Sequence, residues 1–243
     1  METVSLIIPV HNGGEKFREC LKSAAALNPP PLELIVVANG DTDGSRELAH
    51  GFTLQVIVIS EATGPAHARN IGAQAARGDL LYFVDADVRL YPDAIACLQS
   101  AFAADPGLDA LIGSYDDQPG EGDFLSQYRN LLHHYTHQTA QEEAATFWGA
   151  CGAMRRAVFL RLGGFDAQRF SRPSIEDIEL GYRLRASGGR IRLLRNWQVK
   201  HLKRWTWASM LRTDFYDRAL PWSRLLRQHP QYMNDLNVNS RGQ

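Results

Sequence analysis

The chain has 243 residues, 44% of them hydrophobic and 22% charged, an ordinary globular composition that suffices for one large α/β domain or two small ones. Its net charge of −1 argues against wholesale nucleic-acid binding, so no nucleic-acid partner is expected. The three cysteines, Cys20, Cys97 and Cys151, form neither a metal-ligand spacing nor a disulfide framework, which favours a reducing compartment.

The N-terminal residues predict no signal peptide, because Met1 to Thr3 lead into a strand without a basic region followed by an apolar one. No apolar run approaches the roughly 18 residues needed to span a bilayer. We therefore expect a soluble or peripheral protein that is cytoplasmic, with the inner face of the cell membrane as the alternative location.

Strands and helices alternate through the first ninety residues. Apolar runs predict strands at 4–10, 32–38, 54–59 and 80–84, and apolar residues at helical spacing predict helices between them, the third opening at Gly64-Pro65 and ending at Gly78. The short connections predict a parallel sheet with helices on both faces. A helix from Pro92 to about Ala104 and a strand at 109–115 follow, and the Asp- and Gly-rich loop 116–123 marks a boundary.

The second half is less regular. A helix is predicted over 124–142, and its His133, His134 and His137 allow either a metal site or, as is more usual for this spacing, a solvated or packed helix face. The two glycines of 147–153 indicate backbone that lies close to a ligand or to another strand. A short helix at 159–162 and another that starts at Ile175 complete this half.

Two carboxylates, Asp85 and Asp87, follow the buried strand that ends at Val84. In open α/β sheets the carboxyl ends of the strands are where ligands bind. Mg²⁺ and Mn²⁺ prefer oxygen ligands and often bridge one or two carboxylates to substrate phosphates. The pair therefore fits a metal–diphosphate site, with capping of the next turn as the alternative for so short a motif.

Five sequence segments in order resemble a family 2 glycosyltransferase with the GT-A fold, over a span from Val4 to about Trp205. They are the opening strand 4–12, the second-strand loop 36–45, the helix 64–72, the DxD motif Asp85-Ala86-Asp87, and Gly163-Gly164-Phe165-Asp166 followed by the ED motif Glu176-Asp177. Each segment alone is weakly specific, but five in the right order favour the functional interpretation of the aspartates.

The resemblance implies an α/β GT-A fold, with a Rossmann-like, mostly parallel central sheet, helices on both faces, a smaller acceptor-side region and C-terminal helices. It divides the chain into a nucleotide-sugar-binding half at 1–115, an acceptor-binding and catalytic half at 116–205, and an amphipathic helical tail at 206–243.

The activity implied is transfer of a sugar, with inversion, from a nucleoside-diphosphate sugar to a hydroxyl of a carbohydrate or lipid-linked acceptor, such as a cell-envelope glycan. Asp87 would hold Mn²⁺ or Mg²⁺ against the diphosphate, and Asp85 would contact the ribose or the waters of the metal. Asp177 is similar in position to the family's general base, with Glu176 beside it. Both acids also suit the first turn of a helix, which is the structural alternative.

The resemblance places the nucleoside over the first two strand ends, where Pro9, Val10 and His11 would line the base, and Ala86 lies within the DxD motif. Many relatives carry an Asp at the position of Asn39, and often another at Ala38. An amide both donates and accepts hydrogen bonds, so the expected UDP preference is less secure in this chain.

Three further residues have roles implied by the same resemblance. Arg69 would lie near the base and the diphosphate, with a surface ion pair as the alternative. Trp148 and Gly149 belong to the acceptor side.

The segment His201-Leu202-Lys203-Arg204-Trp205 resembles the QxxRW motif of some members, with His in place of Gln. The substitution argues against assuming processive polymer synthesis. His201 resembles a third metal ligand of some GT-A enzymes, with a surface or hydrogen-bonded histidine as the alternative. Arg204 would neutralise diphosphate charge, and Trp205 would stack on a sugar or on the acceptor.

The tail at 206–229 combines aromatic residues with arginines, and Pro221 is predicted to divide it into two helices. This composition suits peripheral contact with a membrane interface, and equally a helix pair that packs on the domain. Residues 234–243 are polar and are expected to be frayed.

Two other functions share parts of this pattern. A sugar-nucleotide nucleotidyltransferase would carry a Gly-rich, basic loop after the first strand, whereas residues 11–16 hold one lysine, Lys16. A non-catalytic nucleotide-binding protein with this fold is disfavoured by the intact acids Asp85, Asp87 and Asp177.

Overall fold

The structure is a computed structural model that describes residues 1–53 and 55–228. Within these residues nine strands form one mixed sheet. The strands are β1 Val4–Val10, β2 Glu33–Asn39, β3 Gln55–Ile59, β4 Leu80–Val84, β5 Val88–Leu90, β6 Ala110–Tyr115, β7 Glu143–Ala144, β8 Cys151–Arg155 and β9 Ile191–His201.

The helices pack on both faces of this sheet. They are α1 Gly14–Ala25, α2 Ser45–His50, α3 Pro65–Ala75, α4 Ala94–Ala104, α5 Phe124–Thr139, α6 Arg156–Arg161, α7 Glu176–Ala186, α8 Trp207–Arg212 and α9 Leu220–Gln228, with a π-helical segment, Thr213–Ala219, between α8 and α9.

The strand order is β3-β2-β1-β4-β8-β6-β9-β5, with β7 paired to β9. Strands β1 to β4, β6 and β9 run in one direction, whereas β5, β7 and β8 are antiparallel to their neighbours. The sheet is therefore mostly parallel, as predicted. Strand β8 lies between β4 and β6, so the halves predicted at 1–115 and 116–205 share a single sheet.

This topology brings the carboxyl ends of five strands to one edge of the sheet. His11 follows β1, Asn39 ends β2, Asp85 follows β4, Tyr115 ends β6 and His201 ends β9. Residues far apart in the sequence thus meet at the edge where ligands bind in open α/β sheets.

Two apolar layers fix the sheet from its two faces. Every residue of β1 is buried, as expected for a strand between parallel neighbours. On one face the ring of Tyr82 packs against Trp197 at 4.9 Å between centroids. On the other face Phe83 contacts Phe159 and Phe165, at 5.2 and 5.4 Å between centroids. The aromatic cluster holds the segment before α7 against the central strand.

Several predicted boundaries were wrong. Helix α5 ends at Thr139 and not at residue 142. The backbone carbonyl of Glu142 already accepts a hydrogen bond from Leu193 N of β9 at 2.7 Å, and residue 142 leads into β7. Helix α3 ends at Ala75, before the predicted stop, and α6 begins at Arg156. The predicted start of the third strand, Leu54, lies outside the described residues.

The C-terminal segment is helical without a break from Trp207 to Gln228, so the prediction that Pro221 divides it was wrong. The π-helical segment directly precedes the proline, where wider turns accommodate a ring that cannot join the α-helical hydrogen bonds. None of the helices at 1–53 and 55–228 is both long and apolar enough to cross a membrane. The polar residues 234–243 lie outside the described part of the chain.

Candidate active site

A cavity of about 780 Å³ opens at the carboxyl edge of the sheet. Thirteen of the predicted site residues line it: Pro9, Val10, His11, Asn39, Arg69, Asp85, Ala86, Asp87, Trp148, Glu176, Asp177, His201 and Trp205. Neither the buried Gly149 nor the exposed Arg204 is among the lining residues. Lys203, the neighbour of Arg204, takes that place.

The second aspartate of the DxD motif is fixed against the end of β9. Strand β5 pairs with β9 so that Val88 lies opposite His201, and the carbonyl of Asp87 accepts a hydrogen bond from Leu202 N at 2.8 Å. His201 Nε2 consequently lies 3.6 Å from Asp87 Oδ2. This separation is long for a direct hydrogen bond, and it allows both atoms to bind one cation.

The other ring nitrogen of His201 is held by Asn130. Nδ1 lies 2.6 Å from Oδ1 of the buried Asn130, which can only accept, so Nδ1 donates this hydrogen bond. Nε2 is thereby turned towards Asp87. The ring of Tyr115 stacks on the imidazole at 4.3 Å between centroids, with 7° between the planes. Metal-ligating histidines are commonly oriented by a hydrogen-bond acceptor at their other ring nitrogen in this way.

The electrostatic environment keeps Asp87 ionised. Burial alone would raise the pKa of this carboxyl, but His201, Lys203 and Lys16 lower the pKa to about 2. Within 1–53 and 55–228 there is no group of three or more His, Cys, Asp and Glu that could hold a metal. A carboxylate and an imidazole fit a cation whose other ligands are substrate phosphates and water, which is how Mg²⁺ is usually bound.

Arg69 joins the end of β4 to the start of α7. Its guanidinium is almost fully buried and donates to Asp85 Oδ1 at 2.6 Å and to Glu176 Oε1 at 2.9 Å. Burial disfavours its charge, but Asp85 and Glu176 more than compensate and raise the pKa of Arg69. A Cβ on Gly149 would lie 3.0 Å from Arg69 Cζ, so glycine leaves room for the guanidinium. The alternative of a surface ion pair does not fit this geometry.

The two acids of the ED motif differ in their surroundings. Both oxygens of the buried Glu176 are used, one by Arg69 and the other by Ser174 N at 2.9 Å. Asp177 accepts from Gly149 N at 3.0 Å and from Ile178 N at 2.8 Å. Burial and the adjacent Glu176 carboxylate raise the pKa of Asp177 to about 6, against the lowering effect of Gly149 and Arg69.

Asn39 is engaged in ordering the loop that follows β3. Its Oδ1 accepts from both N and Oγ1 of Thr63 at 3.0 Å, and its Nδ2 donates to Gly64 O at 3.1 Å. His11 Nδ1 in turn lies 2.8 Å from Asn39 O. One amide hydrogen of Asn39 remains free, so this side chain can donate to a base but has no lone pair left to accept from one.

The three histidines of α5 form a packed face and not a metal site. His134 Nδ1 and His137 Nδ1 lie 2.7 and 2.9 Å from the carbonyl oxygens of Tyr115 and Gly113. His133 and His137 pack against Trp148. Burial lowers the pKa of His137 to about 4. The packed alternative of the sequence prediction thus agrees with the structure.

The sequence analysis missed residues of the cavity wall that are contributed by α5 and the C-terminal helical segment. They are Arg129, Asn130, Thr213, Asp217, Arg218 and Trp222, together with Lys16 and Tyr115. Arg129 and Asn130 precede His133 by one helical turn and His137 by two, and this polar stripe was the signal available in the sequence. A helix pattern does not show which element it faces, so their convergence on His201 was not predictable.

The chain thus places an acidic pair with a facing histidine at the carboxyl edge of a mixed α/β sheet. The family model described as Glycosyl transferase family 2 matches residues 5–163, so the chain belongs to glycosyltransferase family 2.

Solved structures of glycosyltransferases confirm the GT-A fold. Mannosyltransferase PcManGT from Pyrobaculum calidifontis, in complex with GDP-Man and Mn²⁺, matches with a TM-score of 0.67 at 23% identity, over 87% of this chain and 60% of that one. S. aureus TarS in complex with UDP-GlcNAc matches with a TM-score of 0.70 at 18% identity, over 98% and 69%.

A curated relative from Escherichia coli (strain K12), the uncharacterized glycosyltransferase YibD, is 38% identical over 93 residues, which are 37% of this chain and 27% of that protein. The chain matches between 27% and 39% of the length of the first three curated relatives.

Proposed function

We propose that the protein is a metal-dependent inverting glycosyltransferase, which moves a sugar from a nucleoside-diphosphate sugar to an acceptor hydroxyl. The observation that carries this proposal is the placement of three groups around one cavity of a family 2 chain: Asp87, His201 and the base candidate Asp177. UDP is the expected nucleotide. TarS, with UDP-GlcNAc, and PcManGT, with GDP-Man, support the donor class but differ in the base.

The donor diphosphate is proposed to lie beside Asp87. Asp87 and His201 would hold Mn²⁺ or Mg²⁺, which supplies charge neutralisation to the leaving nucleoside diphosphate. Lys16 and Lys203, which lower the pKa of Asp87, add positive charge at the same place. Pro9, Val10 and His11 of the first strand end would line the base.

Asp177 is the better placed of the two acids to act as the base. Glu176 is neutralised and held by Arg69, which assigns it a positioning role. A carboxylate whose pKa is about 6 is ionised near neutral pH and still basic enough to take a proton from the attacking hydroxyl. Direct attack of that hydroxyl on the anomeric carbon, opposite the leaving diphosphate, inverts the configuration.

The acceptor would enter past Trp148 and Trp205 and be a carbohydrate or a lipid-linked glycan. The outer face of the C-terminal helices suits contact with a membrane surface, since Trp207, Leu211 and Tyr216 are each 64% exposed and arginines lie between them. Replacing Trp207 and Tyr216 together by Ala should reduce co-flotation with anionic vesicles. Equal flotation of the variant and the wild type would refute this contact.

Calorimetric binding of UDP and GDP, with Mn²⁺ and then with excess EDTA, tests the donor site. We expect one nucleotide to bind in Mn²⁺ and to lose affinity in EDTA. His201→Ala should weaken the Mn²⁺-dependent binding by about 10- to 100-fold, the usual effect of disturbing a metal site. The matched control is His50→Ala, at an exposed histidine of α2. Folded protein that binds neither nucleotide would refute the proposal.

A further inference from the structure

A second concentration of positive charge lies on the acceptor side of the cavity, between α5 and the π-helical segment. Arg129 of α5 is half-buried, forms an ion pair with Asp214 and packs over the ring of Trp205 at 5.4 Å. Arg218 also lines the cavity, and it forms no ion pair with any residue of the described ranges, although Asp217 is another lining residue. The pKa of the Arg129 guanidinium is lowered, mainly by burial and secondly by the nearby positive charge of Arg218.

Three polar atoms beside these arginines are buried and have no hydrogen-bond partner. They are Asn130 Nδ2, Trp205 Nε1 and His133 Nδ1. Asn130 and Trp205 are only 2% and 5% exposed, and both line the cavity. Leaving a buried donor unpaired is costly, so an unpaired donor in a residue that lines a cavity is a candidate contact for a ligand.

These groups are mainly donors. The Oδ1 of Asn130 is occupied by His201, which leaves the amide hydrogens as its free function. The indole nitrogen of Trp205 can only donate, and Arg218 donates through a charged fork. Several donors and a guanidinium without an ion pair in the described ranges thus line one cavity, a combination that fits an anion with several oxygen atoms such as a phosphate group.

The position separates this set from the proposed donor diphosphate. The nucleoside side of the edge is built by β1 and β2, and Asp87 lies further along, at β4 and β9, with Lys16 and Lys203 as its nearby cations. Arg129 and Arg218 instead both act electrostatically on His133, and Arg218 also acts on Tyr115, on the side of the cavity where β6 and α5 form the wall.

We infer that this part of the cavity, named here the α5 subsite, binds a phosphate group carried by the acceptor through Arg218, Asn130 and Trp205, with Arg129 beside them. That the phosphate carrier is the acceptor rests on the proposed function, whereas the anion site itself does not. The acceptor is thereby a phosphorylated sugar or polyol, or a lipid phosphate that presents its headgroup to the cavity.

The test measures binding of two phosphomonoesters to the full chain by calorimetry. Glucose 1-phosphate is the soluble probe, and farnesyl phosphate in phosphatidylcholine vesicles is the lipid-borne one, with glucose and farnesol as neutral counterparts. Excess EDTA prevents phosphate from binding through a cation at Asp87 and His201. We expect at least one phosphate to bind at least about tenfold more tightly than its neutral counterpart, since charge-assisted hydrogen bonds are the strong ones.

Arg218→Gln should reduce this phosphate binding by about 10- to 100-fold. Arg224→Gln is the matched control, because Arg224 is an exposed arginine of α9 outside the cavity, and it should change binding by less than about twofold. Trp205→Phe keeps an aromatic ring but removes the donor, and a loss of about 2- to 10-fold is expected.

Binding of farnesyl phosphate alone would identify a lipid-borne phosphate, and equal binding of both probes would show that the phosphate is recognised whatever its carrier. Equal losses in Arg218→Gln and Arg224→Gln, or phosphates that bind no better than their neutral counterparts, would overturn the inference. Because the donor test uses a nucleotide with Mn²⁺ and this one uses neither, each proposal can fail while the other survives.

Discussion

Replacing Asp177 by Asn separates the proposed chemistry from the stability of the fold. The structure places this carboxyl where burial and Glu176 raise its pKa from 3.8 to about 6. Because the pKa is higher in the folded chain than in the unfolded chain, the favourable contribution of the protonated form is present below about pH 4 and is lost as the pH rises through about 6. At neutral and higher pH, wild-type ionisation therefore costs stability.

The size of that cost follows from the shift. A rise from 3.8 to about 6 corresponds to at most about 3 kcal/mol. Aspartate uses two acceptor oxygens, for Gly149 N and Ile178 N, whereas asparagine has one. The loss of one hydrogen bond therefore reduces the gain in stability by about 1 kcal/mol. We expect Asp177→Asn to gain about 1–2 kcal/mol at about pH 8, or about 2–8 °C in Tm, and to lose this advantage at about pH 4.

The catalytic effect should be opposite in sign. Loss of the base should lower transfer by about 100- to 10,000-fold, while Mn²⁺-dependent nucleotide binding stays unchanged. Wild-type transfer should decline as the pH falls below about 6, where Asp177 becomes protonated. Thermal unfolding at several pH values, calorimetry and a transfer assay measure the three quantities. A variant that transfers sugar normally, or whose stability gain does not grow between about pH 4 and pH 8, would refute the assignment.

Three further predictions concern groups that hold the site or the sheet. Arg69→Met leaves a buried carboxylate unpaired and should cost about 3–5 kcal/mol in urea unfolding. Arg46→Met, which removes an exposed ion pair, should cost far less, and equal costs would contradict the role of Arg69 as a buried ion-pair partner. Gly149→Ala forces the Arg69 guanidinium to move and should cost about 1–3 kcal/mol by the same measurement, a loss that should be much smaller in the Arg69→Met background. For Glu33, burial would raise the pKa, but hydrogen bonds from its neighbours lower the pKa from 4.5 to about 2, so the stabilisation by this carboxylate is present above about pH 4.5 and is lost as the pH falls towards 2. Glu33→Gln should remove about 3 kcal/mol of unfolding free energy at neutral pH and reduce the loss of stability in acid. An acid unfolding profile identical to that of the wild type would contradict this role of Glu33.

The acidic motif was predictable from the sequence because its position depends on local order alone. Asp85 and Asp87 follow a five-residue apolar strand, and any parallel arrangement of that strand places them at the ligand edge. The alternation of short strands and helices over the first ninety residues defined the parallel half of the sheet for the same reason. The family resemblance then supplied the roles proposed for distant residues.

The partners of these acids were not predictable from local pattern. Strand β9 alternates buried apolar residues with Arg, Gln and Lys, so it contains no continuous apolar run from which the strand could be predicted. The functions of Asn130 and Arg69 depend on contacts across 71 and 107 residues of sequence. The hydrogen bonds of the Asn39 amide with Thr63 and Gly64 depend on the fold of the loop after β3, which the local pattern does not show.

The insertion of β8 between β4 and β6 has a consequence for how the protein is made. During synthesis, β4 can pair with β1 on one side, but its other edge has no partner until residues 151–155 have been made. All five side chains of β4 are ones that the folded chain buries. Open edges of this kind favour aggregation in nascent chains, and domains complete folding as units. The sheet, and with it the cavity at its carboxyl edge, is therefore complete only when β8 and β9 have joined it.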